Sequence, residues 1–260
     1  MISGFSICKG CPKIIHLFFA DDSLLFCKAN SQECQQLIDI LRLYEDASGQ
    51  KINIDKFSVF FSANTEEEKK NEVMEYLTPM QDSRRGKYLG LPSFIGKSKN
   101  EVFDEIKERV GSKLAGWKEK FLSIGGREIL IKAVAQAIPT YTMSCFQLPK
   151  GLCDDIEGMM RKFWWGQRGQ ESRIAWVSWK RLCKSKLRGG MGFRNLQAFN
   201  LAMLAKQGWR LLMNPNSLVA RVYKAKYFPH GDVLNASLGS KPSYAWRSIM
   251  QGLEVVKRGS

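Results

Sequence analysis

The sequence predicts an α+β protein. Three observations carry that prediction: a strand–turn–strand pattern near the start, β-branched and aromatic runs up to about residue 95, and helical periodicity beyond Gly96. Over residues 14–27, apolar side chains flank Ala20, Asp21, Asp22 and Ser23, which reads as a β-hairpin. Its Phe, Ile and Leu are too dense for a sheet wet on both faces, so at least one side should be covered. Asn30 followed by Glu33 is a capping-box signature, and Leu37, Ile40, Leu41, Tyr44 and Ala47 recur at helical spacing until Gly49. Residues 51–62, KINIDKFSVFFS, return to strand or hairpin character. Thr65 can cap the charged helix that follows, which Pro79 ends, and KYLGLP (residues 87–92) reads as a short strand stopped by proline.

Beyond Gly96, Asn100 can cap a helix whose apolar stripe is Phe103, Ile106, Val110, Leu114 and Trp117. A second helix is expected between Gly126 and Pro139, and a third over residues 152–163, between Pro149 and Gly166. The last strong pattern is LQAFNLAMLAKQGWRLLMNP, ending at Pro215, and the tail to Ser260 is weaker. The expected organisation is therefore residues 1–95, a helical stretch over 96–150, and a basic, Trp-rich helical extension over 151–260.

A chain of 260 residues can bury a substantial core in one large or two to three small domains. With 44% hydrophobic and 25% charged residues the composition is of an intracellular soluble type. The absence of an eighteen-residue apolar run argues against a membrane span, and the start MISGFSICKGCPK lacks the features of a signal peptide. Seven scattered cysteines, an odd number, do not read as a disulfide framework.

The net charge of +15 is unevenly spread. Residues 1–86 hold 10 Lys plus Arg against 13 Asp plus Glu, a net of −3, and residues 87–260 hold 30 against 12, a net of +18. All seven tryptophans lie in the basic part. Cations neutralise phosphates and flat rings stack on bases, so the pairing suits a nucleic-acid partner; a solvated basic face over a Trp-containing core is the structural alternative.

Asp21 and Asp22 pose the main chemical question, because adjacent carboxylates in an apolar run are costly unless water or a cation answers them. A wet turn and a metal site both remain open on local sequence. Cys8-x2-Cys11-x4-His16 matches three ligands of a zinc knuckle, with Asp21 where the fourth should stand. The strand-like interior of that stretch and the lack of a second Cys-x-x-Cys argue against zinc. No phosphate loop and no Ser-His-Asp set is recognisable.

In order and spacing, FADD (residues 19–22) in a hairpin, a helix, SGQKINIDK (residues 48–56) and KYLGLP resemble the later palm motifs of reverse transcriptases of LINE-type, non-LTR retrotransposons. GWKEKFLSIGGREILIKAVAQAIPTYTMSCFQLP, FWWG, WVSWKRLCKSK, GGMGFRNLQAFN and LAKQGWRLL are similar to the thumb and following segments of the plant lineage, so the resemblance covers essentially the whole chain. It implies a partial palm, then a helical thumb and a basic extension. It also implies RNA-templated DNA synthesis by nucleotidyl transfer with two Mg²⁺ ions, Mn²⁺ being the alternative. Asp21 would be the principal metal ligand and Asp22 the supporting one, and strand alternation keeps both from pointing the same way in a regular strand. Lys56 would be a catalytic proton donor or electrostatic partner for the leaving pyrophosphate, or an ordinary exposed lysine. Tyr88, Leu89 and Gly90 would support the primer end, or form a plain sheet edge. Lys118, Lys120, Arg127 and Lys132 would meet phosphates, although each taken singly reads equally as a solvated charge. The implied partners are an RNA template, a DNA primer and deoxynucleoside triphosphates, with no membrane. The implied location is intracellular: the nucleus, with an organelle as alternative.

The family site needs a further carboxylate from an earlier palm strand. Only thirteen residues precede the hairpin pattern here, and none is Asp or Glu. The expectation is a fragment that is inactive alone, or a non-catalytic nucleic-acid-binding remnant.

Overall fold

The computed structural model describes residues 2–53, 57–77, 81–82, 87–92, 95–96, 98–117, 122–168, 171–172 and 174–259. The described residues are mainly helical with small strands, compatible with the α+β class. The chain divides into two compact units, Met1–Phe94 with Lys224–Lys226, and Ile95–Tyr223 with Tyr227–Ser260. No helix among the described residues is long and apolar enough to cross a membrane.

The first unit opens with the hairpin β1 (His16–Phe19) and β2 (Asp22–Leu25), antiparallel, pairing His16 with Leu25 and Phe19 with Asp22. Helix α1 (Ser31–Ser48) follows, and Asn30 caps it by accepting from Glu33 N at 2.7 Å. The Glu33 carboxylate does not complete the box at Asn30. It accepts instead from Lys28 N at 2.9 Å and from Ser3 N and Oγ at 3.2 and 2.6 Å. Gly49, at φ +70°, ends the helix in the left-handed conformation that glycine tolerates.

Cys34 and Leu37 of α1 are buried, but Ile40, Leu43 and Tyr44 are exposed, so the expected stripe packs only over its first half. The small core here is Cys34, Val73 and Leu77, the last two contributed by helix α2 (Glu67–Tyr76) and its C-cap. Glu66, not Thr65, stands at the α2 N-cap, and the Thr65 hydroxyl lies 3.0 Å from that of Ser62. Among the described residues of the stretch 51–62, the strand formed is β3 (Ser58–Val59), which pairs in parallel with β4 (Gln81–Asp82). Pro79 lies outside the described residues.

KYLGLP is not one strand but a tight hairpin of β5 (Lys87–Tyr88) and β6 (Leu91–Pro92). Its two turn residues, Leu89 and Gly90, sit at φ +51° and +72°. Two positive φ values are the type I′ requirement, whose twist matches that of the strands.

The second unit is built on helices. These are α3 (Lys99–Gly116), α4 (Ile124–Leu130), α5 (Thr140–Cys145), α6 (Lys150–Trp165) and α7 (Trp179–Leu182), then α8 (Leu196–Met213), α9 (Leu218–Tyr227) and α10 (Tyr244–Gly259). Ser98 rather than Asn100 holds the α3 N-cap, and Phe103, Ile106, Val110 and Leu114 are buried as their spacing requires. The expected helix between Gly126 and Pro139 starts earlier, where Ser123 Oγ accepts from Gly126 N at 3.1 Å, and widens into a π-turn over Ile131–Ala135. A minor antiparallel pair, β7 (Gln167–Arg168) with β8 (Glu171–Ser172), follows α6.

One core joins α3, α6, the π-turn and the start of α8 through Phe103, Val110, Ile131, Met143, Ile156, Met160 and Leu196. A second core gathers Leu211, Ala220, Ile249 and Leu253 around Trp246, whose ring stacks on Tyr223, Tyr227 and Phe228 at 5.3, 4.7 and 5.8 Å. Between the helices, Asn200 is buried with its amide fully used. Its Nδ2 donates to Met143 O and Phe146 O at 2.8 and 2.9 Å, and its Oδ1 accepts from Leu148 N at 2.7 Å.

Candidate functional site

Ala20 and Asp21 form the two-residue turn of the first hairpin, closed by the Phe19–Asp22 pair. Ala20 sits at φ +50°, a conformation that costs an L-residue about 1–2 kcal/mol and that two-residue hairpin turns require. Asp21 therefore belongs to the turn and Asp22 to β2, so strand alternation does not separate their side chains. Both are exposed. The tip is wet, which removes the desolvation cost that an apolar run would otherwise impose on two like charges.

The base of the hairpin is anchored. Phe26 N donates to Ile15 O at 2.8 Å, and the Phe5 and Phe26 rings lie 6.2 Å apart. The body is less covered than its composition demands: Leu17, Leu24 and Leu25 are half-buried, but Phe18 and Phe19 remain 64% and 63% exposed. His16 stacks on Phe18 at 4.6 Å.

Among the described residues, no group of three or more His, Cys, Asp or Glu side chains is placed to hold a metal ion. Cys8, Cys11 and His16 thus form no knuckle. Two adjacent wet carboxylates suit one largely hydrated Mg²⁺ but supply too few fixed ligands for a two-metal pair.

Of the other expected residues, those described belong to different elements. Tyr88, Leu89 and Gly90 share the β5–β6 hairpin, with Tyr88 and Leu89 half-buried and Gly90 exposed at the turn. Lys56, Lys118 and Lys120 lie outside the described residues. In the second unit, half-buried Arg127 donates from Nη1 to Trp164 O at 3.2 Å, in the last turn of α6. Lys132 Nζ lies 2.7 Å from Glu128 Oε1 and 5.8 Å from the Phe193 ring centroid. Lys186 reaches the same Glu128 oxygen at 2.8 Å. Hydrogen bonds from Lys132 and then Lys186 hold the Glu128 carboxyl below its ordinary range, against the opposing effect of burial. The Glu128–Lys132 pair is legible as an i, i+4 spacing; Lys186, fifty-eight positions after Glu128, carries no local signal.

The tryptophans divide between core and surface. Trp179 and Trp246 are buried, and Trp117, Trp164 and Trp165 pack against the larger core. Trp176 and Trp209 are 79% and 51% exposed, so two of the seven offer a ring for stacking.

No protein-family model matches the chain. Among curated proteins it is similar to "Uncharacterized mitochondrial protein AtMg00310" of Arabidopsis thaliana, 48% identical over 124 residues, which is 47% of this chain and 80% of that protein. It is also similar to "Putative ribonuclease H protein At1g65750" of the same plant, 37% identical over 173 residues, which is 65% of this chain but 28% of that much longer protein. Both relatives are typical of retrotransposon-derived reading frames, which relates this chain to transposable elements in general. With 48% identity along four fifths of the shorter relative, the chain belongs to the same family as AtMg00310.

Proposed function

We propose that this chain is part of a non-LTR retrotransposon reverse transcriptase, with Asp21 and Asp22 as metal-binding carboxylates of the palm and a thumb and basic extension after them. The observation that carries the reading is the exposed carboxylate pair on a tight hairpin tip whose turn residue Ala20 is held at φ +50°. The transposon-type relatives agree with it. In the proposed reaction the primer 3′-oxygen attacks the α-phosphorus of a deoxynucleoside triphosphate and pyrophosphate leaves. Asp21 and Asp22 would hold part of a Mg²⁺ site, or Mn²⁺ in its place, whose chemistry when complete would be Lewis-acid stabilisation of the attacking and leaving oxygens. The remaining carboxylate and the nucleotide-holding fingers come from polypeptide other than the described residues. RNA template and DNA primer are the partners, and the nucleus, or an organelle, is the site of action.

Primer extension on an RNA template tests this. The expected result is no extension by the chain alone, extension when a palm-and-fingers segment of the same element is added, and loss of that activity with Asp21→Ala. Complemented extension that survives Asp21→Ala refutes it.

A second reading, a non-catalytic nucleic-acid-binding remnant, is favoured by the net +18 over residues 87–260 together with exposed Trp176 and Trp209. It predicts affinity for an RNA–DNA duplex that falls steeply with salt, as counterion release requires, and that Asp21→Ala leaves unchanged. A flat salt dependence refutes it.

A further inference from the structure

Neither reading above uses the cysteine pair near the start of the chain. Phe5 and Ile14 exchange two backbone hydrogen bonds, Phe5 N to Ile14 O at 2.8 Å and Ile14 N to Phe5 O at 2.9 Å, and so close the residues between them into a loop. Inside that loop Cys11 N donates to Cys8 O at 3.1 Å, and Gly10 sits at φ +81°. This is a hydrogen-bonded four-residue turn with positive φ at its third position, the sign pattern of type II. Ser6 Oγ lies 2.9 Å from Cys8 O and 3.2 Å from Cys11 O, and pins both ends of the turn. Such a turn brings its terminal Cα atoms within about 7 Å, and a disulfide spans about 4.4–6.8 Å. Both thiols are free, and burial first, then the neighbouring Cys11, pushes the Cys8 thiol above its ordinary range. Among the described residues no third ligand joins them in a metal-binding group. Cys8 is half-buried and Cys11 buried, so Cys8 is the thiol an incoming reagent meets first.

We propose that Cys8 and Cys11 form a reversible dithiol–disulfide couple, oxidised by a low-molecular-weight disulfide such as glutathione disulfide. The deprotonated Cys8 sulfur attacks one sulfur of the reagent, the reagent's S–S bond breaks, and one glutathione leaves as thiolate. Cys11, giving up its proton, then attacks Cys8 Sγ and displaces the second glutathione. Two electrons pass from the protein sulfurs to the reagent, and the two released thiolates take up the two protons. Because the second step is intramolecular on a preformed turn, the internal disulfide outcompetes the mixed one.

The sequence provides a direct readout. Trypsin cuts after Lys9 and Lys13, which separates Cys8 and Cys11 onto two peptides, residues 1–9 and 10–13, that only a disulfide can hold together. The full chain is incubated with glutathione disulfide, blocked with N-ethylmaleimide and digested, and the peptides are weighed before and after reduction. The linked peptide pair is expected at about tenfold or greater excess over glutathione adducts on either cysteine. Cys11→Ser, which lacks the resolving thiol, is expected to accumulate the Cys8–glutathione adduct. Either of two results overturns the proposal: wild type that carries stable glutathione adducts or unmodified thiols at both positions, or wild type that links Cys8 or Cys11 to one of the other five cysteines.

Discussion

Arg127 donates to the carbonyl oxygen of Trp164, so a cation from α4 satisfies one of the open acceptors at the C-terminal end of α6. The last four carbonyls of a helix have no partner within it, and positive charge is favoured there. The geometry gives Arg127 a structural task apart from any phosphate. Arg127→Ala is expected to lower stability by about 1.5–3 kcal/mol, the scale of a hydrogen bond involving a charged group. It should leave the salt dependence of nucleic-acid binding unaltered. Thermal unfolding and binding titrations at several salt concentrations check both halves. Unchanged stability with a shallower salt slope would return Arg127 to the phosphate-contacting set.

Asn200 holds the turn between α5 and α6 through three hydrogen bonds to backbone groups of Met143, Phe146 and Leu148. Asn200→Leu preserves the volume but leaves one amide and two carbonyls without that partner. Each buried group so orphaned costs about 1–3 kcal/mol, less where water enters. A loss of about 3 kcal/mol is expected in chemical denaturation of the full chain, against well under 1 kcal/mol for exposed Lys206→Ala on the same helix.

Gly252 of α10 faces the backbone of α8 directly. A Cβ at that position would stand 2.4 Å from Ala205 N and from the carbonyl carbon of Leu204. No side-chain rotation relieves a clash with backbone, so Gly252→Ala must push the two helices apart and disturb the packing around Leu204 and Leu253. The expected cost is about 2–3 kcal/mol, although alanine is by itself the better helix former. Gly259→Ala on the same helix, where nothing lies within 4 Å, serves as the control and should be neutral or slightly stabilising.

That glycine also shows why part of the fold was not readable from sequence. A glycine within a weakly patterned tail argues against a helix, yet α10 forms because Gly252 permits the close approach that buries Trp246, Ile249 and Leu253. The spacing of Trp246, Ile249 and Leu253 is itself a local helix signal, and only the close approach to α8 that Gly252 permits depends on the partner helix. Elements whose causes are local were legible: the Asn30 cap, the Gly49 stop, and the stripe from Phe103 to Leu114. The β5–β6 hairpin was misread as a strand because its turn places Leu89, not one of the usual Gly, Asn or Asp residues, at positive φ. At the candidate site, the adjacency and exposed turn of Asp21 and Asp22 follow from sequence. Which other groups approach them depends on contacts beyond the hairpin.

Glu33 ties the stability of the first unit to pH. Burial acts to raise its carboxyl pKa, but the donors Lys28 N, Ser3 Oγ and Ser3 N together outweigh burial and hold the carboxyl below its ordinary range. A carboxyl lowered on folding stabilises the fold in full above its unfolded value, about 4.3, and that contribution disappears as pH falls through the lowered folded value. Acid should therefore release the stretch around Ser3 from the start of α1, seen as faster hydrogen exchange at the Ser3 and Lys28 amides below about pH 4. Glu33→Gln keeps the shape and removes the charge. It should lower stability at neutral pH and flatten the acid dependence. If wild type and Glu33→Gln lost stability in parallel as pH fell, the acid sensitivity would belong to other carboxylates, and the contacts to Ser3 and Lys28 would be bystanders.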